Sequence, residues 1–380
     1  MSGSGMISVR SSDQHPPGRV HHFRLSVRIL AGLVSFTIIA GSLEIGLRLW
    51  SFATDAVARR KDDIYGRLYS PEELRPSELS LPRQGGRCVH QIFSGGMRWD
   101  PRFGLATKTL DMVCAKEFFK SARTKVVLLG GSTMGGAFAP NYLTTIDYYA
   151  FASDENFVSI NLAESFARLS DMSARFIHEI IELRPNVAVF LVGFNEFHAM
   201  QYGGLPGDDF YWTAGVSRRV HHPMMFLLDK AIDSSKLAQA LLIQTGIYLS
   251  PRATRKIDLT LVDQEVDYYF RTQEYTSVLC RQYSIKCFFI LQPTPLVQSN
   301  LNDRDHLIVQ ERLKYFPQSQ EIMTRGYALL KRGRNGNRVL DASGLFDGVA
   351  DAYFDVDHFT KVGNALLGKY IHNAILQSEH

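Results

Sequence analysis

Ser132 stands in the stretch "KVVLLGGSTMGG", Lys125 to Gly136, where a short apolar run enters two glycines, a serine and then two more glycines. A serine presented at the end of a buried strand can act as a nucleophile if a base and an orienting group reach it. Other uses of such a stretch fail on chemistry. A phosphate loop would need Lys and then Ser or Thr after Gly135, and Gly136 and Ala137 stand there instead. A dinucleotide fingerprint would need a glycine in place of Ser132. The nucleophile elbow of the α/β-hydrolases would need one in place of Met134. What remains is a serine entering a helix, whose free N–H groups and positive dipole end could hold an oxyanion.

The base and its orienting group are offered near the C-terminus. In "YFDVDHFTKVGNALLGKYI" Asp355 and His358 are three positions apart, so in a loop or first helical turn the carboxylate can receive one imidazole N–H while the other nitrogen faces a serine. Asp357 reads as a solvated or capping residue. His198 is a rival base, but its spacing implies no carboxylate partner. "VFLVGFNEFHAM" places Gly193, Asn195 and Glu196 at the carboxyl end of another strand. The Asn195 amide can donate to an oxyanion, with Gly193 and Glu196 taken as substrate contacts. "SINLAESFARLS" ends a strand at Asn161, and the loop after it offers a backbone donor, taken here as Ala163. "FIHEIIEL" starts like a zinc-protease helix at His178 and Glu179, but Glu182 occupies the place of the second histidine, so no metal site is expected.

These pieces, in this order, resemble the SGNH hydrolase superfamily, the GDSL-like esterases and lipases. The serine block matches "LGGSTMGG", the Gly-x-Asn-Asp/Glu block matches "GFNEF" and the Asp-x-x-His block matches "DVDH". The likeness covers about Lys125 to Ile371, and "GGST" with "GFNE" behind an N-terminal anchor looks like membrane-anchored bacterial members associated with envelope glycans. It implies a flavodoxin-like three-layer α/β/α fold and ester hydrolysis without a cofactor. By position it makes Ser132 the nucleophile, His358 the base and Asp355 the orienting acid, with the Ser132 N–H and Asn195 in the oxyanion hole. The family usually carries a glycine a few residues after the Asn161 position; here Leu162 to Phe166 contain none.

The elements that must position these residues follow an α/β rhythm. "KVVLLG", "FVSINLA", "VAVFLVGFNE", "KCFFILQPTP" and "RVLDAS" read as strands, continuously apolar where they are longest. "ARFIHEIIELRP", "EVDYYFRTQEYTSVLCRQYSI" and "SQEIMTRGYALLKRG" read as helices between them. Such alternation predicts a parallel sheet covered on both faces, with ligands beyond the carboxyl ends of its strands. Residues 203–257 break the rhythm and read as an inserted lid or accessory segment in the 121–380 domain. Its Phe210, Tyr211 and Trp212 could stack on sugar rings or pack the insertion onto the core.

Upstream, residues 1–23 read as a disordered tail. Residues 24–52 read as a transmembrane anchor, with Glu44 and Arg48 paired on one helix face and Trp50 at the interface. Residues 53–120 read as a stalk and irregular lobe. Arginines close to the start of the apolar run favour an inside N-terminus and an extracytoplasmic catalytic domain. Cys88, Cys114, Cys280 and Cys287 allow three pairings; a Cys88–Cys114 bridge would suit an exported protein, and buried free thiols are the equal alternative. A net charge of +4 over 380 residues gives no footprint for nucleic acid. The expected function is removal of O-acyl groups, foremost O-acetyl, from an envelope glycan or glycolipid. The alternatives are an O-acyltransferase using the same site and a degenerate glycan-binding scaffold.

Overall fold

The computed structural model describes residues 34–50, 63, 67–70, 98–100, 104–106, 110–120, 123–140, 144–202, 235, 257–334 and 336–378. The expected tail (1–23), most of the insertion (203–257), Cys88 and the aromatics at 210–212 lie outside the described residues. Contacts divide the chain into two units, Met1–Asp55 with Asp229–Ile247, and Ala56–Leu228 with Tyr248–His380.

In the first unit residues 34–50 are helical. The expected pair forms, Arg48 Nε donating to Glu44 Oε1 at 2.6 Å, and Ser235 Oγ donates to Glu44 Oε2 at 2.9 Å. Phe36, Ile38, Leu49 and Trp50 are exposed on this helix. The anchor expected over 24–52 begins outside the described residues, and among the described residues no helix is long and apolar enough to cross a membrane.

The second unit opens with a hairpin, β1 (Arg98–Asp100) and β2 (Gly104–Ala106), and a helix, α1 (Met112–Phe119), so the lobe expected to be irregular carries regular structure. There follow β3 (Thr124–Leu129), α2 (Ile146–Phe151), β4 (Phe157–Asn161), α3 (Leu169–Arg175), β5 (Val187–Val192), α4 (Phe194–His198), α5 (Thr260–Gln282), β6 (Lys286–Leu291), α6 (Asp303–Tyr315), α7 (Ser319–Arg332), β7 (Leu340–Asp341) and α8 (Lys361–Gln377). α3 continues through a π-turn over Phe176–Ile180 and a last α-turn over Ile181–Leu183. It stops at Arg184 in the left-handed conformation, just before Pro185, which disfavours the helical conformation in the residue it follows.

The five core strands are parallel in the order β4-β3-β5-β6-β7. Counted from the first core strand this is the 2-1-3-4-5 order of flavodoxin-like sheets. The chain moves one way from β3 to β4 and the other way from β4 to β5. Right-handed crossovers therefore put α2 and α3 on opposite faces, which makes three layers. α2 packs on α8, whereas α3, α4 and α7 each pack against α5. The strands are as apolar as two covered faces demand: Val126, Val127, Leu128 and Leu129 are at most 1% exposed. A disulfide joins Cys280, near the end of α5, to Cys287 in β6, and Cys114 is also disulfide-bonded.

Candidate active site

β3 ends at Leu129 and hands the chain to Gly130 and Gly131, so Ser132 is presented at the carboxyl edge of the sheet. The segment that follows is a run of turns rather than the expected helix. Gly135 N donates to Gly131 O at 3.1 Å and Ala137 N to Ser132 O at 2.9 Å. Gly136 then takes φ 76°, which ends any helical propagation. The second glycine of the pair has a steric cause, because a Cβ on Gly131 would lie 2.3 Å from Asn195 Nδ2. Only glycine lets the Asn195 amide come down onto the Ser132 turn. Among the described residues no hydrogen bond engages the Ser132 N–H. Asn195 Nδ2 gives one hydrogen to Ala167 O at 3.0 Å, and a primary amide has a second. Ser132 N–H and Asn195 Nδ2 are thus two donors at the carboxyl edge of the sheet, beyond the adjacent strands β3 and β5.

His358 arrives on the loop before α8, where Tyr353 and Phe359 pair and Phe354 N donates to His358 O at 2.8 Å. Asp355 Oδ1 accepts the N–H groups of Asp357 (3.0 Å) and His358 (2.9 Å). The same carboxylate lies 2.9 Å from His358 Nδ1 through Oδ2. The Asp-x-x-His spacing is therefore an Asx turn that fixes its own acid. On the far side of the ring, His358 Nε2 is 2.8 Å from Ser132 Oγ. Ser132, His358 and Asp355 are connected as the spacing predicts.

The loop is tied down by residues that its own sequence does not announce. Thr133 Oγ1 donates to Asp357 O at 2.7 Å. Gln292 Nε2, just past β6, donates to the same oxygen at 2.9 Å and to Thr133 Oγ1 at 3.1 Å. Thr294 Oγ1 donates to Val356 O at 2.7 Å, and Tyr327 OH holds Gln292 O at 3.0 Å. Polar residues directly after an apolar strand, "LQPT", were the available signal.

Asp357 is not the solvated or capping residue expected; Thr360 caps α8. Asp357 is buried, and its Oδ1 lies 3.4 Å from His358 Nδ1, so two carboxylates face one imidazole nitrogen. Burial alone would lower the His358 pKa, but Asp357 and then Asp355 overcome it and raise it to about 9. Burial and the neighbouring Asp355 raise Asp357 to about 7, against the pull of His358. Burial would also raise Asp355; the His358 charge and the hydrogen bonds from its ring and from Asp357 hold it below the usual carboxylate range instead.

Three expected contacts are corrected. The Glu196 carboxylate is 2.7 Å from Gly193 N and 2.8 Å from Leu169 N, both of which donate to it. A buried carboxylate so engaged ties two loops together and does not face a substrate. Gly193 takes φ 115°, and a Cβ there would meet Leu291 Cδ1 at 2.5 Å, so packing and backbone conformation account for this glycine. Ala163 N–H donates to Asn161 Oδ1 at 3.1 Å and is no oxyanion donor. Asn161 Nδ2 also reaches Met134 O at 2.7 Å and Asp147 Oδ1 at 3.1 Å, bracing the Ser132 turn.

The loop lacking its glycine keeps a left-handed residue, Phe166 at φ 64°. Two buried arginines hold this loop, Arg175 on Leu162 O (3.1 Å) and Glu164, and Arg168 on Glu265 (2.9 Å). The rival residues do not join the site. His178 is exposed and Glu179 pairs with Arg175 at 3.0 Å. The imidazole at hydrogen-bond distance from Ser132 Oγ is that of His358, not of His198. His198 is held neutral, its pKa lowered by burial and then by the charges of Arg312 and His358.

No family model matches the chain, and no curated protein matches it. Among solved structures, a GDSL-like lipase from Bacteroides thetaiotaomicron is 14% identical, with 67% of this chain and 89% of that chain covered at a TM-score of 0.35. The acetyl xylan esterase AlAXEase is 12% identical, with 66% and 99% covered at a TM-score of 0.35. An acetyl-xylooligosaccharide esterase from Geobacillus Stearmophilus is 13% identical, with 67% and 94% covered at a TM-score of 0.33. The chain is similar to solved GDSL-like lipases and esterases, the superfamily its three motif blocks resemble.

Proposed function

We propose that the chain is an SGNH-type serine esterase that removes O-acyl groups, foremost O-acetyl, from a cell-envelope glycan or glycolipid. The observation that carries the reading is the relay from Ser132 Oγ to His358 Nε2 (2.8 Å) and from His358 Nδ1 to Asp355 (2.9 Å). His358 takes the Ser132 proton as the Oγ electron pair forms a bond to the acyl carbon. The carbonyl oxygen becomes an oxyanion held by the Ser132 N–H and the Asn195 amide. The bond from the acyl carbon to the sugar oxygen then breaks, and the proton on Nε2 goes to that oxygen. Water, giving its proton to His358, attacks the acyl-serine and releases the carboxylic acid and Ser132. Asp355 keeps Nδ1 protonated throughout and stabilises the imidazolium.

The envelope setting rests on the first unit and on the cysteines. Residues 24–52 are the proposed bilayer anchor, supported by the exposed apolar side chains of helix 34–50. The catalytic domain is placed outside the cytoplasm, a reading that disulfide-bonded Cys280, Cys287 and Cys114 fit.

The test is hydrolysis of p-nitrophenyl acetate by the full-length chain in detergent, beside Ser132→Ala and His358→Ala. Activity in the parent and its loss in both variants is the expected result. An inert parent, or an active Ser132→Ala chain, overturns the reading. Acetylated glycan supplied to the active enzyme should release acetate; acyl groups appearing on an added sugar acceptor would make it a transferase.

A further inference from the structure

Phe138 lies six positions after Ser132 on the same run of turns and has φ 64°. An aromatic residue with a Cβ is a true outlier there. Strained backbone persists only where its surroundings hold it, and it gathers at functional sites. The Phe138 ring stacks on Phe354, with centroids 4.3 Å apart and planes 11° apart. It also stands perpendicular to the His358 imidazole, at 4.8 Å and 74°. Phe354 is 2% exposed and forms a small separate core with Tyr69, against which Leu68 and Phe138 pack. Tyr69 OH in turn accepts the Lys361 N–H at the start of α8, at 2.9 Å. One turn therefore supplies both the nucleophile and an aromatic wall for the base.

We infer that Phe138 is a positioning residue for His358, an inference that rests on the esterase reading above. Its ring blocks rotation of the imidazole away from the line between Asp355 and Ser132. It also presents a π-system within reach of the positive charge that His358 gains when it takes the Ser132 proton, an interaction effective within about 6 Å of a ring centroid. The left-handed φ is the cost of bringing that ring to the base. The charged and titratable groups around His358 are Asp355 and Asp357 on its own loop and His198 from α4; Arg312 from α6 acts on Asp357 and His198.

The experiment measures kcat, KM and the pH profile of kcat/KM for p-nitrophenyl acetate with Phe138→Leu, Phe138→Tyr and Phe138→Gly in the full-length chain. Leu keeps apolar bulk without a π face, Tyr keeps the ring, and Gly accepts the left-handed φ while removing the ring. The expected result is a kcat roughly tenfold lower for Leu and Gly at unchanged KM. Their acid limb should move to lower pH, because a weaker hold on the imidazolium lowers the His358 pKa. Tyr should restore both values, and Gly should melt no earlier than Leu. A Leu variant with parental kcat and acid limb overturns the inference. So does a loss of kcat that follows melting temperature with the limb unmoved. If Ser132→Ala is as active as the parent, or the parent is inert, the esterase reading falls and takes this inference with it. An active parent, a dead Ser132→Ala and a parental Phe138→Leu remove this inference alone.

Discussion

Residues 130–136 and residues 353–359 face each other across the Ser132–His358 hydrogen bond and reach their geometry by different means. The nucleophile turn depends on atoms that are not there. Gly131 leaves room for the Asn195 amide, where a Cβ would stand 2.3 Å from Nδ2, and Gly136 provides a left-handed corner. The base loop depends on charges and donated hydrogen bonds: Asp355 accepts two backbone N–H groups, and Thr133, Gln292 and Thr294 grip its carbonyls. Steric fit at the first loop is all or nothing, whereas the electrostatics of the second can be graded. Substitutions in the two loops should therefore fail in different ways.

Asp355→Asn should show the largest effect. The amide has one acceptor where the carboxylate has two and presents an N–H to Nδ1, so the imidazole is driven toward the wrong tautomer and the imidazolium loses its counter-charge. A fall of about ten-thousand-fold in kcat for p-nitrophenyl acetate is expected, by the general behaviour of such triads. Asn195→Ala tests the nucleophile turn through the α4 amide that Gly131 admits, removing one oxyanion donor without touching the base. It should lower kcat by about a hundred- to a thousand-fold and leave the pH profile of kcat/KM where it was. If Asn195→Ala instead moves the acid limb, the two loops are not separable as described.

Asp357→Asn is the smallest and the most diagnostic change. His358 must be neutral to take the Ser132 proton, and its raised pKa of about 9 predicts an activity that climbs with pH toward that value. Asp357 is the larger of the two charges that raise it. Replacing Asp357 should therefore move the acid limb of kcat/KM to lower pH, with kcat on the plateau within severalfold of the parent. A limb that stays in place would mean that Asp355 alone sets the base.

How far the site was legible follows from what each residue must do. The contacts among Ser132, His358 and Asp355 could be read because the roles proposed for them each admit few residue types, and Asp355 and His358 are three positions apart. The parallel sheet could be read because strands buried on both faces cannot hide their apolar runs. Glu196 was misread as a substrate contact because a carboxylate at a strand end has the same sequence signature whether it meets a ligand or caps backbone N–H groups. Gln292 and Thr294 were missed because their partners are carbonyls of Asp357 and Val356, far along the chain. The helix expected after Ser132 gave way to turns at Gly136, and the left-handed Phe138 and Phe166 have no signature at all, since residues of that kind rarely go there.

The proposed chemistry depends first on Ser132 as the nucleophile. Intact-mass and peptide mass spectrometry after treatment with a fluorophosphonate would follow its Oγ displacing fluoride to form a stable phosphonate ester. One adduct per chain, located on Ser132, absent from Ser132→Ala and strongly slowed in His358→Ala, is the predicted result. No adduct on the folded parent, or an adduct on another residue with Ser132 unmodified, would contradict it.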